Sequence, residues 1–372
     1  MSEWISNILY DNFQNITIIP NPTDSIYKNE NVSYDAYGFC IKDEELNQSV
    51  NFYESKFQPK RERRKKRWNK FMGIQSLDNI NLSLFKVMIR KGVPDNLRSS
   101  IWQKMIGSDV LYTANIGIFD KMLNVTLKPE IMKQIKLDVV RTFPTHKKFS
   151  PNKHGLEDLE RVLYAFATYF PSINYCQSIN YIAAVLLLFL PPERAFWTLV
   201  QLIESKSTDK GLRISGYYKE GMTDLMRDIL VLESILETRL KRVHAKFRIF
   251  GIDIGWICAE WFLCLFSISL PINTLLRVWD VLMLEGDKVL FRISFGIFKM
   301  NEAKILELDS YNSLLMYCKN MSKVLVEHNE LIKTSFNDMR FFRRKEIQKL
   351  REMANGKLGR SGTLSKNKID PL

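Results

Sequence analysis

Apolar residues recur three and four positions apart through most of this chain, and prolines end the segments that carry this spacing. In the stretch GLEDLERVLYAFATYFP, residues 155–171, the side chains at helical spacing are Leu, Val or Phe. Such spacing places the apolar groups on one face of an α-helix. We find neither a run of alternating strands nor an internal repeat, so the pattern predicts an all-α fold.

The longest pattern of this kind runs from Met222 to Phe247, with apolar residues close to the 3.6-residue period of an α-helix. It predicts one long helix packed on a globular core. Further helices are expected at about 179–190 and from Pro192 onward, because proline is tolerated in the first turn of a helix. The most apolar stretches, 181–190 and 254–270, are too short or are interrupted by Glu260, so they predict core helices rather than membrane spans.

Composition sets the two ends of the chain apart from its middle. It predicts a polar N-terminal extension with a basic helix at 59–70 and a disordered basic tail over 355–372. Residues 1 to about 57 are rich in polar loop formers and are expected to be poorly ordered or draped over the surface. The N-terminus has no basic segment ahead of an apolar run, so it predicts no signal peptide.

The formal charge of +13 is concentrated in two flanking segments. Residues 59–70 contain eight Lys or Arg and one Glu, and residues 340–372 contain ten basic and three acidic side chains. A solvated basic helix is the commonest origin of such a run, while nuclear import or contact with an anionic membrane surface stays open. Nucleic acid binding is not favoured, because aromatic residues for base stacking are nearly absent from these flanks apart from Trp68.

The motifs of several enzyme classes are missing. The chain has no phosphate-binding glycine loop, no G-x-S-x-G and no H-E-x-x-H, so it predicts neither a nucleotide site nor hydrolase chemistry of its own. The histidines are His146, His154, His244 and His328, and the cysteines are Cys40, Cys176, Cys258, Cys264 and Cys318. Their spacing suggests no metal site, no cofactor and no disulfide framework, which is typical of a protein in the reducing cytosol.

One arginine is placed at a predicted helix end. In IKLDVVRT, Ile135, Asp138 and Arg141 are three positions apart and therefore neighbours along one side of a helix. Phe143 precedes Pro144, which disfavours helical geometry and ends the helix just past the arginine. We expect Asp138 to hold the root of Arg141 while the guanidinium projects from a rigid support.

A glutamine lies at the next helix start. In PSINYCQSIN, residues 171–180, Gln177 falls at or just before the first turn, beside free N–H groups and the positive end of a helix dipole. An arginine can neutralise the charge that develops on a transferring phosphoryl group, and a glutamine can orient the attacking water. The residues alone leave the ordinary alternative open, a surface ion pair and a loop glutamine without function.

Four long segments, in order, resemble the signature blocks of the TBC domain, which is the fold of Rab GTPase-activating proteins. They are RKGVPDNLRSSIWQKMIG (90–107), IKLDVVRTFPTH (135–146), YCQSINYIAAVLLLFL (175–190) and WFLCLFSISLPINTLLRVWDVLMLEGDKVLFR (261–292). The upstream segments DAYGF (35–39), FYESKF and RERRKKRWNKF are similar to the lead-in of the growth hormone-regulated TBC proteins.

The resemblance implies a helical, two-lobed domain that accelerates GTP hydrolysis on a bound Rab, with no hydrolase activity of its own. Its core would span 89–300, after an N-terminal extension over 1–88, and helices over 301–354 would complete it. The GTP and Mg²⁺ would belong to the GTP-bound Rab partner. Arg141 matches the arginine finger of the family and Gln177 matches its glutamine finger, in the Y-x-Q motif. Asp138 and Tyr175 match the positions that support these fingers. Such a protein would be cytoplasmic or peripheral on endomembranes, with a role in vesicle-mediated and intracellular protein transport.

Four more residues match the family blocks, and one departs from them. Arg98, Trp102, Trp279 and Asp280 match, and for these we expect packing and buried polar pairing rather than contact with the partner. The family usually has glycine after the glutamine, where this chain has Ser178. A glycine there would permit positive φ or close approach of another backbone. Ser178 therefore leaves open a catalytically weak TBC scaffold that binds a Rab or an adaptor.

Overall fold

A computed structural model describes residues 33–74, 81–151, 153–204, 212, 214–340 and 342–366. In this part of the chain the regular elements are helices, accompanied by one isolated antiparallel bridge between Tyr34 and Cys40. The predicted all-α fold is therefore confirmed. The polar loops predicted within residues 1–32 lie outside the described residues.

Eighteen α-helices and a 3-10 turn at Ser215–Tyr217 follow one another within the described residues. The helices are α1 (Glu44–Ile74), α2 (Leu82–Lys91), α3 (Asp95–Ile106), α4 (Ser108–Ala114), α5 (Ile118–Leu123), α6 (Pro129–Arg141), α7 (His154–Tyr169), α8 (Ile179–Leu187), α9 (Pro192–Ile203), α10 (Thr223–Arg239), α11 (Lys241–Phe250), α12 (Gly255–Leu263), α13 (Ile272–Glu285), α14 (Lys288–Met300), α15 (Glu302–Glu307), α16 (Tyr311–Asn320), α17 (His328–Asn337) and α18 (Arg344–Lys366).

One large hydrophobic core joins these helices, and α7 and α8 lie inside it. α7 packs against α6, α8 and α9, and every residue of α8 is buried. The apolar stretch 181–190 is thus a core element, as predicted, although its helix ends at Leu187. Among the described helices none is both long and apolar enough to cross a membrane.

The single long helix predicted from Met222 to Phe247 is wrong, because two helices occupy this region. α10 ends at Arg239 and α11 begins at Lys241, while Leu240 between them has φ −127° and ψ 53°. Leu240 is buried, so the bend keeps its side chain in the core. A continuous amphipathic pattern does not distinguish one straight helix from two helices that follow a curved core.

The flanks are more ordered than their composition predicts. α1 begins at Glu44, inside the segment expected to be loose, and it contains the basic helix predicted at 59–70. Trp68 of α1 is fully buried, and its Nε1 donates a 3.0 Å hydrogen bond to the carbonyl of Gly92. At the other end α18 is helical to Lys366, so the disorder predicted from residue 355 is wrong as far as that residue. Burial of a few aromatic side chains thus orders α1, although the helix is polar on average.

Candidate functional site

α6 carries Arg141 in its last turn. Ile135 and Val139 are buried and fix the helix on the core. Thr142 leaves helical geometry with φ −79° and ψ 107°, and its Oγ1 donates a 2.6 Å hydrogen bond to the carbonyl of Asp138. Phe143, with φ +47°, then turns the chain away from the helix. The predicted helix end just past Arg141 is where the structure has it.

The carboxylate of Asp138 is fully buried and collects three side chains. Its Oδ1 accepts a 3.0 Å hydrogen bond from Nε2 of Gln134 and pairs with Nη2 of Arg141. Its Oδ2 accepts a 2.6 Å hydrogen bond from the hydroxyl of Tyr175. Burial raises the pKa of Asp138, whereas the Tyr175 hydroxyl and the Arg141 charge favour the ionised form. Asp138 therefore joins the helix of Arg141 to the connector that precedes α8.

Asn180 makes a second link between the same two segments. Its Nδ2 donates a 2.7 Å hydrogen bond to Oγ1 of Thr142, and its Oδ1 accepts a 3.0 Å hydrogen bond from the backbone N–H of Ser178. Asn180 is fully buried, so both contacts are shielded from water. Asn180 was not among the residues predicted from the sequence. The available signal was a lone amide in the first turn of an otherwise apolar helix.

Gln177 lies one residue before Ser178, which is the N-cap of α8, so the predicted position at a helix start is found. The side chain is half-buried, and among the described residues no hydrogen bond involves its amide. Tyr175 lies two residues upstream and touches the carboxylate that also pairs with Arg141. The structure thus brings the segments of Arg141 and Gln177 together through Asp138 and Asn180.

Ser178 has φ +110° and ψ −33°, a backbone conformation that favours glycine. A non-glycine residue in such a sparsely populated region costs on the order of 1–3 kcal/mol. The residue is fully buried, and the hydrogen bond from its N–H to Asn180 stabilises the unusual backbone. Ser178, which stands where the resembled family usually has glycine, is therefore at a position that requires positive φ.

Arg141 does not project freely. Only 16% of its side chain is exposed, and its guanidinium rests on Asp138. Its Nε is buried without a hydrogen-bond partner among the described residues. The side chain borders a cavity of about 1090 Å³ whose wall also includes Pro144, Tyr181, Phe189 and residues between Tyr34 and Glu54. The expectation of a projecting guanidinium is wrong for this chain alone, because the buried Asp138 carboxylate attracts it.

The other matched residues form a buried cluster around Asp280. Its Oδ1 accepts hydrogen bonds from Nε1 of Trp102 at 3.0 Å and from Nε of Arg98 at 3.1 Å. Its Oδ2 accepts a 2.8 Å hydrogen bond from the N–H of Val93. Trp279 donates from Nε1 to the carbonyl of Leu265 at 2.8 Å. The cluster packs α13 against α3, and its side chains face the interior.

Histidines and cysteines add no metal-type cluster to the part of the chain described. No group of three or more His, Cys, Asp and Glu side chains is arranged there to hold a metal ion. The cysteines are free thiols. Burial raises the pKa of Cys176, the neighbour of Gln177, to about 12. This thiol therefore stays protonated near neutral pH and is a poor nucleophile.

The helical fold is shared with domains of the RabGAP TBC class. The fold is similar to the crystal structure of the Chlamydomonas flagellar RabGAP TBC domain, with a TM-score of 0.68 and 30% sequence identity over 82% of this chain and 99% of that one. The family model described as the Rab-GTPase-TBC domain matches residues 95–306. The chain belongs to this family, so the predicted membership is confirmed.

Curated relatives support the same assignment. The chain is 32% identical over 351 residues to TBC1 domain family member 2A of Homo sapiens, which covers 88% of this chain and 36% of that protein. It is 38% identical over 216 residues to Carabin of Mus musculus, which covers 58% of this chain and 47% of that protein. The chain thus spans about a third of the length of the first relative. The likeness of its N-terminal segments to the growth hormone-regulated proteins stays a prediction.

Proposed function

We propose that this chain is a GTPase-activating protein for a Rab-family small GTPase and supplies Arg141 and Gln177 to the nucleotide held by that partner. The partner would carry the GTP and Mg²⁺, so the chain needs no cofactor of its own. The observation that carries the proposal is the Asp138 carboxylate, which contacts both Arg141 and Tyr175. It holds the segments of the two candidate fingers side by side on a rigid core. Membership of the Rab-GTPase-TBC family supports the choice of partner.

Arg141 would stabilise the charge that develops on the transferring phosphoryl group. An arginine supplied in trans is worth about 10³ to 10⁵ in rate. To reach the phosphate, the guanidinium would exchange Asp138 for a more highly charged acceptor. Asp138 would keep its hydrogen bonds from Gln134 and Tyr175 during that exchange, which limits the penalty for leaving a buried carboxylate behind.

Gln177 would orient the attacking water. Its amide offers a donor and an acceptor, and within the described residues neither is engaged. The residue stands just before α8, so the positive end of the helix dipole lies near its amide. The amide can therefore turn toward a partner without breaking a contact of its own.

A hydrolysis screen tests the proposal. Purified chain is mixed with a panel of GTP-loaded Rabs, and phosphate release is compared for the wild type, Gln177→Ala and the control Gln58→Ala, whose side chain is exposed on α1. We expect one or more Rabs to be stimulated, with stimulation strongly reduced by Gln177→Ala and unchanged by Gln58→Ala. Failure of the wild type to stimulate any Rab would contradict the proposal.

The second candidate is a TBC scaffold that binds a Rab or an adaptor with little or no catalysis. The strained backbone of Ser178 favours it, because a displaced connector would misplace Gln177. Capture of a GTP-loaded Rab without turnover in the same screen supports this alternative. Recovery of turnover by Ser178→Gly would then assign the defect to this residue.

We further propose a cytoplasmic protein in vesicle transport that contacts endomembranes peripherally through its basic flanks. Exposed cations follow one side of α1 at helical spacing. They are Lys56, Lys60, Arg63, Arg67 and Lys70. Their charge complements anionic lipid headgroups. Sedimentation with phosphatidylserine vesicles, weakened by added salt, is the expected result, and equal sedimentation with neutral vesicles would contradict this contact.

A further inference from the structure

A compact turn upstream of α1 lies outside the residues that match the family, which begin at residue 95. We call residues 33–41 the N-terminal turn. Its chain ends are paired by a 2.9 Å hydrogen bond from the N–H of Ile41 to the carbonyl of Ser33. Oδ1 of Asp35 accepts 2.9 Å hydrogen bonds from the N–H groups of Tyr37 and Phe39, which closes the turn from inside. The turn is therefore ordered by its own contacts.

The N-terminal turn packs on the loop that follows Arg141, which we call the finger loop (residues 142–149). The carbonyl of Gly38 accepts a 2.9 Å hydrogen bond from the N–H of Lys147. The ring of Phe39 lies against Phe143, with centroids 5.2 Å apart, and against His146, with centroids 4.5 Å apart. Phe143 is only two residues past Arg141. Apolar and backbone contacts thus reach almost to the root of the guanidinium side chain.

His146 connects the two segments through both ring nitrogens. Its Nδ1 accepts a 2.9 Å hydrogen bond from the N–H of Lys148, so the neutral ring carries its proton on Nε2. Nε2 then donates to the carbonyl of Tyr37 at 3.0 Å. The ring is buried beneath the N-terminal turn. One side chain therefore fixes the conformation of the finger loop and binds it to the turn.

The N-terminal turn is anchored on the domain body as well. The hydroxyl of Tyr37 donates a 2.9 Å hydrogen bond to Oδ1 of Asp95, the first residue of α3. The same ring lies near Phe189, with centroids 6.4 Å apart. The turn consequently bridges the start of α3 and the finger loop, so that movement of the loop would have to move the turn.

We propose that the N-terminal turn positions Arg141, and that Gly38 and Phe39 are positioning residues for the hydrolysis reaction. This inference rests on the proposed function of Arg141. Phe143 holds φ +47°, a conformation that persists only where its surroundings enforce it, and its ring is held between Phe39 and Tyr181. Without the turn, Phe143 in the finger loop loses its contact with the ring of Phe39. A misplacement of about 1 Å in a catalytic group lowers a rate by about 10²-fold.

Kinetics of the full chain with a stimulated Rab test the inference. Phe39→Ala removes the ring, and Gly38→Ala brings a Cβ within 3.2 Å of the His146 ring at a φ of +96°. Both variants should lower kcat about tenfold or more with little change in KM. Phe39→Leu keeps most of the apolar volume and should recover most of the rate. Gly117→Ala is the matched control, because its φ is +80° but no atom lies within 4 Å of the added Cβ.

Amide hydrogen exchange separates this inference from the proposed function. In Phe39→Ala the amides of Lys147 and Lys148 should exchange faster than in the wild type, since their acceptors lie on the turn and on His146. A wild type inactive toward every Rab would contradict the proposed function alone. Faster exchange in Phe39→Ala would still show that the N-terminal turn holds the finger loop in place. Unchanged exchange in Phe39→Ala and Gly38→Ala would overturn the inference. A normal kcat in both variants would do the same, and a raised kcat would identify the turn as a cover over Arg141 instead.

Discussion

The hydroxyl of the half-buried Tyr175 lies 2.6 Å from Oδ2 of Asp138, whose carboxylate is fully buried. Burial raises the pKa of Tyr175 well above its usual value, so the hydroxyl keeps its proton and donates to the carboxylate. The bond joins the helix that ends in Arg141 to the connector that carries Gln177. Asp138 therefore supports the segments of both Arg141 and Gln177, which are far apart in sequence.

Tyr175→Phe tests the value of that bond. The substitution leaves Oδ2 of Asp138 without its donor, and we expect a loss of about 1–3 kcal/mol in the free energy of unfolding, measured in urea. Stimulated hydrolysis should fall as well, because Asp138 no longer links the helix of Arg141 to the connector that carries Gln177. Tyr317→Phe is the control, since its hydroxyl makes a 2.6 Å hydrogen bond to Asn301 instead. Equal hydrolysis rates for the two variants would argue against the shared support.

Ser178→Gly should stabilise the protein. Glycine adopts φ +110° without a Cβ clash, so the substitution should raise the free energy of unfolding by about 1 kcal/mol despite the greater freedom of glycine in the unfolded chain. Ser178→Ala keeps the Cβ and should give no such gain. Thermal unfolding of the three proteins measures the difference. A glycine variant less stable than the wild type would refute the strain at this position.

Acid should destabilise the contact between the N-terminal turn and the finger loop. Burial lowers the pKa of His146 below 6.5, with Asp35 and Lys148 as its charged neighbours and the Tyr37 carbonyl on Nε2. The unfolded chain therefore binds more protons than the native protein as the pH falls below 6.5, and the free energy of unfolding falls with it. The stability is present above that pH and is lost below it.

His146→Gln isolates this effect. Glutamine does not titrate, so from neutral pH to one unit below 6.5 the variant should lose less of its free energy of unfolding than the wild type. Burial and nearby arginines also lower the pKa of His328, to about 2, but that residue is present in both proteins and cancels in the comparison. Urea unfolding at a series of pH values gives the two slopes. Parallel slopes would exclude His146 as the titrating group.

Sequence rules based on neighbouring residues predicted the helix ends and the ion pair that depend on contacts within a short stretch of chain. The end of α6 follows from Phe143 before Pro144, and the start of α8 follows from the connector around Gln177. The pairing of Asp138 with Arg141 follows from a spacing of three residues on one helix. Each of these depends on neighbours within about one turn.

Contacts between distant segments were beyond such rules. His146 and Tyr37 are 109 positions apart, so no rule based on neighbouring residues places the N-terminal turn against the finger loop. Asn180 reaches Thr142 only because two helices meet in the core. The burial of most of the Arg141 side chain also depends on contacts between distant segments, since the surrounding fold decides how much of the side chain is enclosed. Tertiary packing decides these features, and it overrides local propensity.

The most direct measurement of the central claim is the rate of phosphate release from a stimulated, GTP-loaded Rab with Arg141→Lys and Arg227→Lys side by side. Arg227 is the matched control, because it also pairs with an aspartate three residues earlier, Asp224, and its side chain is also 16% exposed. A lysine ammonium cannot reproduce the planar guanidinium fork. We expect Arg141→Lys to lower the stimulated rate by about 10³-fold, with Arg227→Lys close to the wild type. Stimulation by Arg141→Lys at the wild-type rate would contradict the account.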